Sequence, residues 1–403
     1  MGRQYISGCK AAAEAARLAS VEVIAAYPIT PQTQIVEYLS NYIYDGQLDA
    51  EMIPVESEHS ALSAVVGAAM VGARVFTATS SQGLALMHEV LPYASGLRLP
   101  IVIAVANRTL ASPVSIFSDH QDTLLQRDTG FLQFYVENCQ EILDLILLAY
   151  KVAENEKVLL PIMVCFDGFF LSHIYEPVEL PEIELIRKYV PKTEAKYPIL
   201  DVYKPKSFNV MAFPEHFEEF QRDKHESMLI GAEVFDQAAE EFERFFGRKH
   251  RRLETYQTED AEYILFGLGS MMGTVRDTVD ELRSLGHKVG SAKIKCYRPF
   301  PIMEIRQVAN HCKAIGVLDR DIAYGTGGIL YQDIARALYN ANTKAPLLNF
   351  VLGLGGRDIT KNTIKSCFGK LIEQATSGQP TLENEVNWPD ENRSLLRIWK
   401  VGV

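Results

Sequence analysis

Residues 58–79 read EHSALSAVVGAAMVGARVFTAT, and this stretch decides the fold class. Residues 58–73 have the length of a helix, and ten of the sixteen are Ala, Gly or Val. A helix so rich in small residues is expected to be buried on most sides, with neighbouring backbone approaching it closely. The run 74–79 that follows reads as a strand. Outward from this pair the alternation continues. Residues 9–20 form an Ala-rich helix, and 21–26 a short β-branched strand stopped by Tyr27-Pro28-Ile29-Thr30-Pro31. Residues 82–95 read as one helix, 100–106 as a fully apolar strand, 140–154 as a helix and 158–166 as a second apolar strand. Continuous apolar strands between helices imply a parallel sheet covered on both faces.

A second α/β unit begins at Tyr263, with strands over 263–266, 289–295, 314–319 and 348–351 and an amphipathic helix over 274–285. Between the two, the chain turns charged, aromatic and Pro-punctuated. The expected architecture is α/β, with two doubly wound domains at 1–180 and 259–403 and a connecting segment, 181–258, that carries one long helix. That helix ends in GRKHRR. Arg248, Lys249, Arg251 and Arg252 read as a solvated helix end, with a phosphate contact as the alternative.

A chain of 403 residues exceeds what one hydrophobic core serves. Its 51 acidic against 40 basic residues, a net charge of −11, disfavour a broad footprint for nucleic acid or anionic lipid. The six cysteines are scattered with no C-x-x-C pair, so no metal or iron–sulfur ligand set is written here. No signal-like h-region and no bilayer-length apolar run is present, and a cytoplasmic chain without a membrane span is the expectation.

Candidate chemistry gathers at the carboxyl ends of the predicted strands, where open α/β sheets bind ligands. Two prolines stiffen the loop Tyr27-Pro28-Ile29-Thr30-Pro31, which lets Thr30 present a positioned hydroxyl. The alternative is a helix cap by Thr30 or Thr33. Glu58 opens the small-residue helix, where a carboxylate is stabilised whether or not it does more than cap. Arg108 follows the strand PIVIAVAN and suits a bidentate carboxylate clamp or a structural ion pair. Asp119 and His120 lie in a run too polar for a core strand, SIFSDHQD, and are placed to orient substrate or a lid. Gly267-Leu268-Gly269-Ser270-Met271-Met272-Gly273 lacks the dinucleotide spacing, and Lys293 and Lys295 stand where an acidic ribose ligand is wanted; a tight strand-to-helix turn is the reading.

Taken in order, YPITPQT, ESEHSAL, TSSQGLALM (79–87), ANRTL, SIFSDHQD and FDGFFLSH (166–173) resemble the α-type chain of the pyruvate:ferredoxin oxidoreductase family, the thiamine-diphosphate-dependent 2-oxoacid:acceptor oxidoreductases. The later GLGS, YRPFP (297–301) and LDRDIAYGTGG (318–328) look like the transketolase-C-like domain of the same chain. The resemblance implies that the first domain binds the cofactor's pyrimidine. Glu58 would hydrogen-bond that ring, with Tyr27, Pro28, Ile29 and Gln82 around the cofactor. Thr30 and Arg108 would hold the substrate's oxo and carboxylate groups, with Asp119 and His120 nearby. It further implies a β-type partner that binds the diphosphate and Mg²⁺, γ- and δ-type ferredoxin-like partners, and [4Fe–4S] clusters in those partners. Coenzyme A would accept the acyl group, and electrons would pass to ferredoxin or to a flavin/NAD module. Pyruvate is the favoured substrate. An aryl-2-oxoacid dehydrogenase of phenylglyoxylate or indolepyruvate type is the alternative within the family, and a non-catalytic scaffold subunit the alternative outside it. Gln32-Thr33 replaces the small hydroxyl pair often found after YPITP.

Overall fold

The computed structural model describes residues 2–192, 197, 199–341, 343–377 and 386–389. The strands, in chain order, are β1 (Gly2–Ser7), β2 (Val23–Ala25), β3 (Glu51–Ile53), β4 (Val75–Thr79), β5 (Val102–Asn107), β6 (Leu132–Tyr135), β7 (Ile162–Asp167) and β8 (Tyr175–Leu180). They continue with β9 (Leu253–Tyr256), β10 (Tyr263–Gly267), β11 (Val289–Ile294), β12 (Cys296–Arg298), β13 (Ala314–Asp319), β14 (Leu347–Val351) and β15 (Val386–Asn387). The helices are α1 (Gly8–Leu18), α2 (Thr33–Tyr44), α3 (Glu58–Met70), α4 (Ser81–Leu86), α5 (Leu91–Gly96), α6 (Gln121–Leu124) and α7 (Cys139–Ala153). After them come α8 (Ile183–Tyr189), α9 (Pro214–Phe246), α10 (Met271–Ser284), α11 (Ile302–Ala309), α12 (Ile329–Leu338) and α13 (Lys361–Ser377).

The chain divides into two compact units, Met1–Glu254 with Ile294–Pro301, and Thr255–Lys293 with Ile302–Val403. In the first, a seven-stranded sheet runs in the order β12-β6-β7-β5-β4-β2-β3. Every pairing is parallel except that of β12 with β6. Strands β4, β5, β6 and β7 are buried along their whole length, as their unbroken apolar runs require. The Ala-rich α1 packs against α7, and the small side chains allow that close approach. In the second unit the sheet order is β15-β14-β13-β10-β11-β9, and the pairings β11-β10-β13-β14-β15 are parallel.

Two local readings change, and the long connecting helix is found as expected. The helix expected over 82–95 is broken into α4, a 3₁₀ turn (Met87–Glu89) and α5. Pro92 lies in the first turn of α5, where its missing N–H costs nothing, whereas inside a continuous helix its ring would strike the carbonyl one turn back. The connecting helix is α9, 33 residues long, and its second half buries Val234, Phe235, Ala238, Phe242 and Phe246 in the first unit's core. Its basic end is not simply solvated. Arg248 holds Asp144 with both arms of its fork at 2.7 and 2.8 Å, and Arg252 holds Asp236 at 2.9 Å; Lys249 and Arg251 are exposed.

Among the described residues, Glu141, His250 and Glu254 converge closely enough to hold a metal ion. The fully buried Lys295 places its ammonium there instead. Its Nζ lies 3.0 Å from Glu141 Oε1 and 3.0 Å from His250 Nδ1, and in contact with Glu254 Oε1.

Candidate active site

The carboxyl ends of β7, β5, β4 and β2 lie side by side in the sheet, so the loops that leave them form one cluster. The loop after β2 is pinned from beneath. Gln32 is fully buried; its Nε2 donates to the Ala78 carbonyl at 2.9 Å, and its Oε1 accepts from the Ile29 amide at 3.2 Å. The departure from a hydroxyl pair at this position therefore acts on the loop's support. Cys9 Sγ donates to the Pro31 carbonyl at 3.4 Å, and a side chain on Gly168 would meet Pro31 at 2.6 Å. Tyr27, Pro28 and Thr30 stand exposed on this support, with Ile29 half-buried.

The capping readings do not hold. The residue capping α2 is Gln32, without a side-chain cap, and neither Thr30 nor Thr33 serves it. At α3 the cap is Ser57, whose hydroxyl accepts from the Ser60 amide at 3.2 Å. Glu58 is free of that duty. It is 7% exposed, and its carboxyl has no hydrogen-bond donor among the described residues. A Cβ on Gly83 would lie 2.6 Å from Glu58 Oε1 and 2.6 Å from Thr79 Oγ1, so the glycine leaves the carboxylate its place. The hydroxyls of Thr77 and Thr79 on β4 and of Ser80 just after it are buried without a hydrogen-bond partner among the described residues. An acceptor with no donor, beside a glycine that leaves it room, fits the protonated ring nitrogen of an aminopyrimidine.

Arg108, half-buried, joins the first two loops. Its Nη1 donates to the Thr30 carbonyl at 2.7 Å and its Nη2 to Gln82 Oε1 at 2.9 Å, while Nε has no partner. Ser81 Oγ lies 2.5 Å from the same Gln82 oxygen and in contact with the Thr109 carbonyl. Burial pushes the Arg108 guanidinium below its ordinary pKa, and the Asp122 and Glu58 carboxylates pull the other way.

Asp119 and His120 are nearly enclosed. Asp119 accepts from the Gln121 amide at 3.1 Å, and His120 Nε2 lies 3.0 Å from Asp167 Oδ1, which also accepts from Ser118 at 3.0 Å. His120 and Ser118 thus hold the loop after β5 to the end of β7, whereas the Asp119–Gln121 bond lies within the segment that follows β5. Phe117, at the rim of that loop, lies 5.4 Å from Phe169, which stacks on His173.

Sequence reasoning missed Asp122, although it closes the quoted SIFSDHQD run. It is completely buried and accepts from four N–H groups: Asn107 Nδ2 (2.7 Å), the Thr123 amide (2.8 Å), the Ser81 amide (2.9 Å) and the Arg108 amide (3.0 Å). Burial pushes its carboxyl up to about 7 even against those donors, with Asp119 adding in the same direction.

The chain belongs to the pyruvate flavodoxin/ferredoxin oxidoreductase family: the family's thiamine-diphosphate-binding domain matches residues 14–240, and the pyruvate:ferredoxin oxidoreductase core domain II matches residues 261–364. Similar curated proteins are the pyruvate synthase subunit PorA of Pyrococcus abyssi, 48% identical over 98% of this chain and 99% of that one, and the ketoisovalerate oxidoreductase subunit VorA of Pyrococcus horikoshii, 44% identical over 96% and 97%. The fold is shared with a 2-oxoglutarate:ferredoxin oxidoreductase structure from Magnetococcus marinus, at a TM-score of 0.71 and 20% identity, covering 92% of this chain and 65% of that one. No helix among the described residues is long and apolar enough to cross a membrane.

Proposed function

We propose that this chain is the α-type subunit of a cytoplasmic 2-oxoacid oxidoreductase that decarboxylates pyruvate oxidatively with coenzyme A and passes electrons to ferredoxin. In this reading residues 1–180 are the pyrimidine-binding domain and 259–403 the transketolase-C-like domain, joined by 181–258. A β-type subunit supplies the diphosphate and Mg²⁺ site, and γ- and δ-type subunits supply [4Fe–4S] clusters. The observation that carries the proposal is the pairing of a donor-less Glu58 with a cationic Arg108 fork on neighbouring loops.

Thiamine diphosphate, when bound, supplies the carbon nucleophile for the 2-oxo carbon and takes up the electron pair left when carbon dioxide departs. Glu58 accepts the hydrogen bond of the pyrimidine nitrogen and stabilises its protonated state, with Gly83, Gln82, Tyr27, Pro28 and Ile29 shaping the space around it. Arg108 keeps a further hydrogen on each terminal nitrogen unused by the Thr30 and Gln82 contacts, enough to grip a carboxylate bidentately. The exposed Thr30 hydroxyl donates to the oxo group. Asp119 and His120 serve the substrate from behind, by fixing the loop that carries Arg108.

The PorA relatives favour pyruvate, and the VorA likeness makes a branched-chain 2-oxoacid the second reading. The test is anaerobic purification of the native complex and viologen reduction with pyruvate, 2-oxoisovalerate, 2-oxoglutarate, indolepyruvate and phenylglyoxylate, each with and without coenzyme A. Coenzyme A-dependent reduction with pyruvate is expected. Inactivity toward every oxoacid in a complex loaded with cofactor and clusters would return the chain to the scaffold reading.

A further inference from the structure

Asp122 touches neither the Thr30 loop nor Glu58 in any hydrogen bond, yet both walls of the Arg108–Gln82 fork hang from it. Its Oδ2 takes the amide of Arg108 itself at 3.0 Å and the amide of Ser81, the residue before Gln82, at 2.9 Å. Its Oδ1 takes Asn107 Nδ2, at the end of β5, and the Thr123 amide. Ser81 needs such a hold, because it sits at φ +51°, a left-handed conformation that costs a residue with a side chain. Released, Ser81 would relax, and Gln82 would leave the position at which its Oε1 meets Arg108 Nη2.

We propose that Asp122 is a positioning residue for the substrate carboxylate: a buried carboxylate, accepting on both oxygens, that fixes the ends of β4 and β5 so that Arg108 and Gln82 form one preorganised fork. The inference rests on Arg108 as the carboxylate's partner. A buried carboxylate is an expensive support, and the geometry shows why an amide does not replace it. All four groups around Asp122 are donors, so an amide in its place would turn its own N–H₂ against one of the two pairs. Arg108 would stay folded in, but its guanidinium would no longer be aimed. Binding of the oxoacid carboxylate would suffer while Glu58, on another element, kept its place. A displacement of this kind is felt strongly at a site that works by alignment.

The experiment is a double-mutant cycle in the native complex, with viologen reduction read across a range of pyruvate concentrations. Asp122→Asn is expected to raise KM for pyruvate about tenfold or more while kcat stays within about threefold. Added to Arg108→Ala, it is expected to change kcat/KM less than about twofold, because the residue it positions is gone. A support with no bearing on the fork would instead multiply with Arg108→Ala. Multiplying effects, or an unchanged KM in Asp122→Asn, overturn the inference alone. An unchanged KM in Arg108→Ala overturns the functional reading and this inference with it. Should Asp122→Asn fail to assemble, Asn107→Ser removes one donor and leaves the carboxylate in place; a KM rise of about threefold that vanishes on the Arg108→Ala background supports the inference, and its absence overturns it.

Discussion

Gly83→Ala is the smallest change that addresses the Glu58 carboxylate directly. The added methyl carbon would stand 2.6 Å from Glu58 Oε1 and 2.8 Å from its Cγ. That is about 0.8 Å inside ordinary contact, so the carboxylate must shift by roughly that distance. Gly83 lies within α4 and is not in the left-handed region, so alanine suits its backbone and adds about 0.5–1 kcal/mol of helix propensity. Overpacking takes back about 1–3 kcal/mol, and the net loss should not exceed about 2.5 kcal/mol. The fold survives, and the effect reports on the site. A misplacement near 1 Å costs on the order of a hundredfold in rate where alignment is the source of catalysis. In the anaerobic complex kcat is therefore expected to fall roughly a hundredfold, and the affinity for thiamine diphosphate, titrated by fluorescence quenching, about tenfold or more. The pyruvate KM should stay within about threefold, because Arg108 and Thr30 do not move. A Gly83→Ala complex with kcat within about threefold of the parent would refute the reasoning.

Other outcomes follow from the same geometry. Glu58→Gln keeps size but loses the charge that stabilises a protonated ring nitrogen, and turnover should drop at least about a hundredfold while gel filtration shows an intact complex; normal turnover would remove Glu58 from the cofactor. Gln32→Ala removes both pins beneath the Thr30 loop and should cost about 1–3 kcal/mol in denaturant unfolding of the chain, together with a higher pyruvate KM. At Asp144 burial raises the carboxyl pKa, but hydrogen bonds from His250 and Arg248 outweigh it and leave the folded value below the ordinary one. The unfolded chain then binds more protons in this range, so Asp144 stabilises at neutral pH and the gain disappears as pH falls below about 4 toward the folded value. The difference in thermal midpoint between the parent and Asp144→Asn should shrink from pH 7 to pH 3; a constant difference would place its stabilisation elsewhere.

The parts of this fold that the sequence made legible are those with a local cause. The small-residue helix α3 and the apolar β5 and β7 announce themselves by composition, and Glu58 and Arg108 could be singled out because each stands at the end of such an element. Asp122 left no such signal. It is one acid in a polar run, and only the long-range convergence of the Ser81 and Arg108 amides makes it central. Gln32 likewise read only as a departure from the hydroxyl pair that often follows YPITP, and its inward turn depends on the Ala78 carbonyl, which belongs to a strand 46 positions away. Nothing around residues 296–298 indicates that they would pair antiparallel with β6, because the edge they complete is set by distant sequence.

That returning strand bears on how the protein is made. β12 covers β6, but it is encoded only after the first stretch of the second unit, Thr255–Lys293. At roughly 5–20 residues per second, a nascent chain waits on the order of ten to thirty seconds between releasing β6 and releasing its cover. Through that interval Leu132–Tyr135, wholly buried in the finished molecule, offers an uncapped apolar edge to any neighbouring chain. The pace of the ribosome and the presence of a holdase over this window therefore bear on the yield of the subunit.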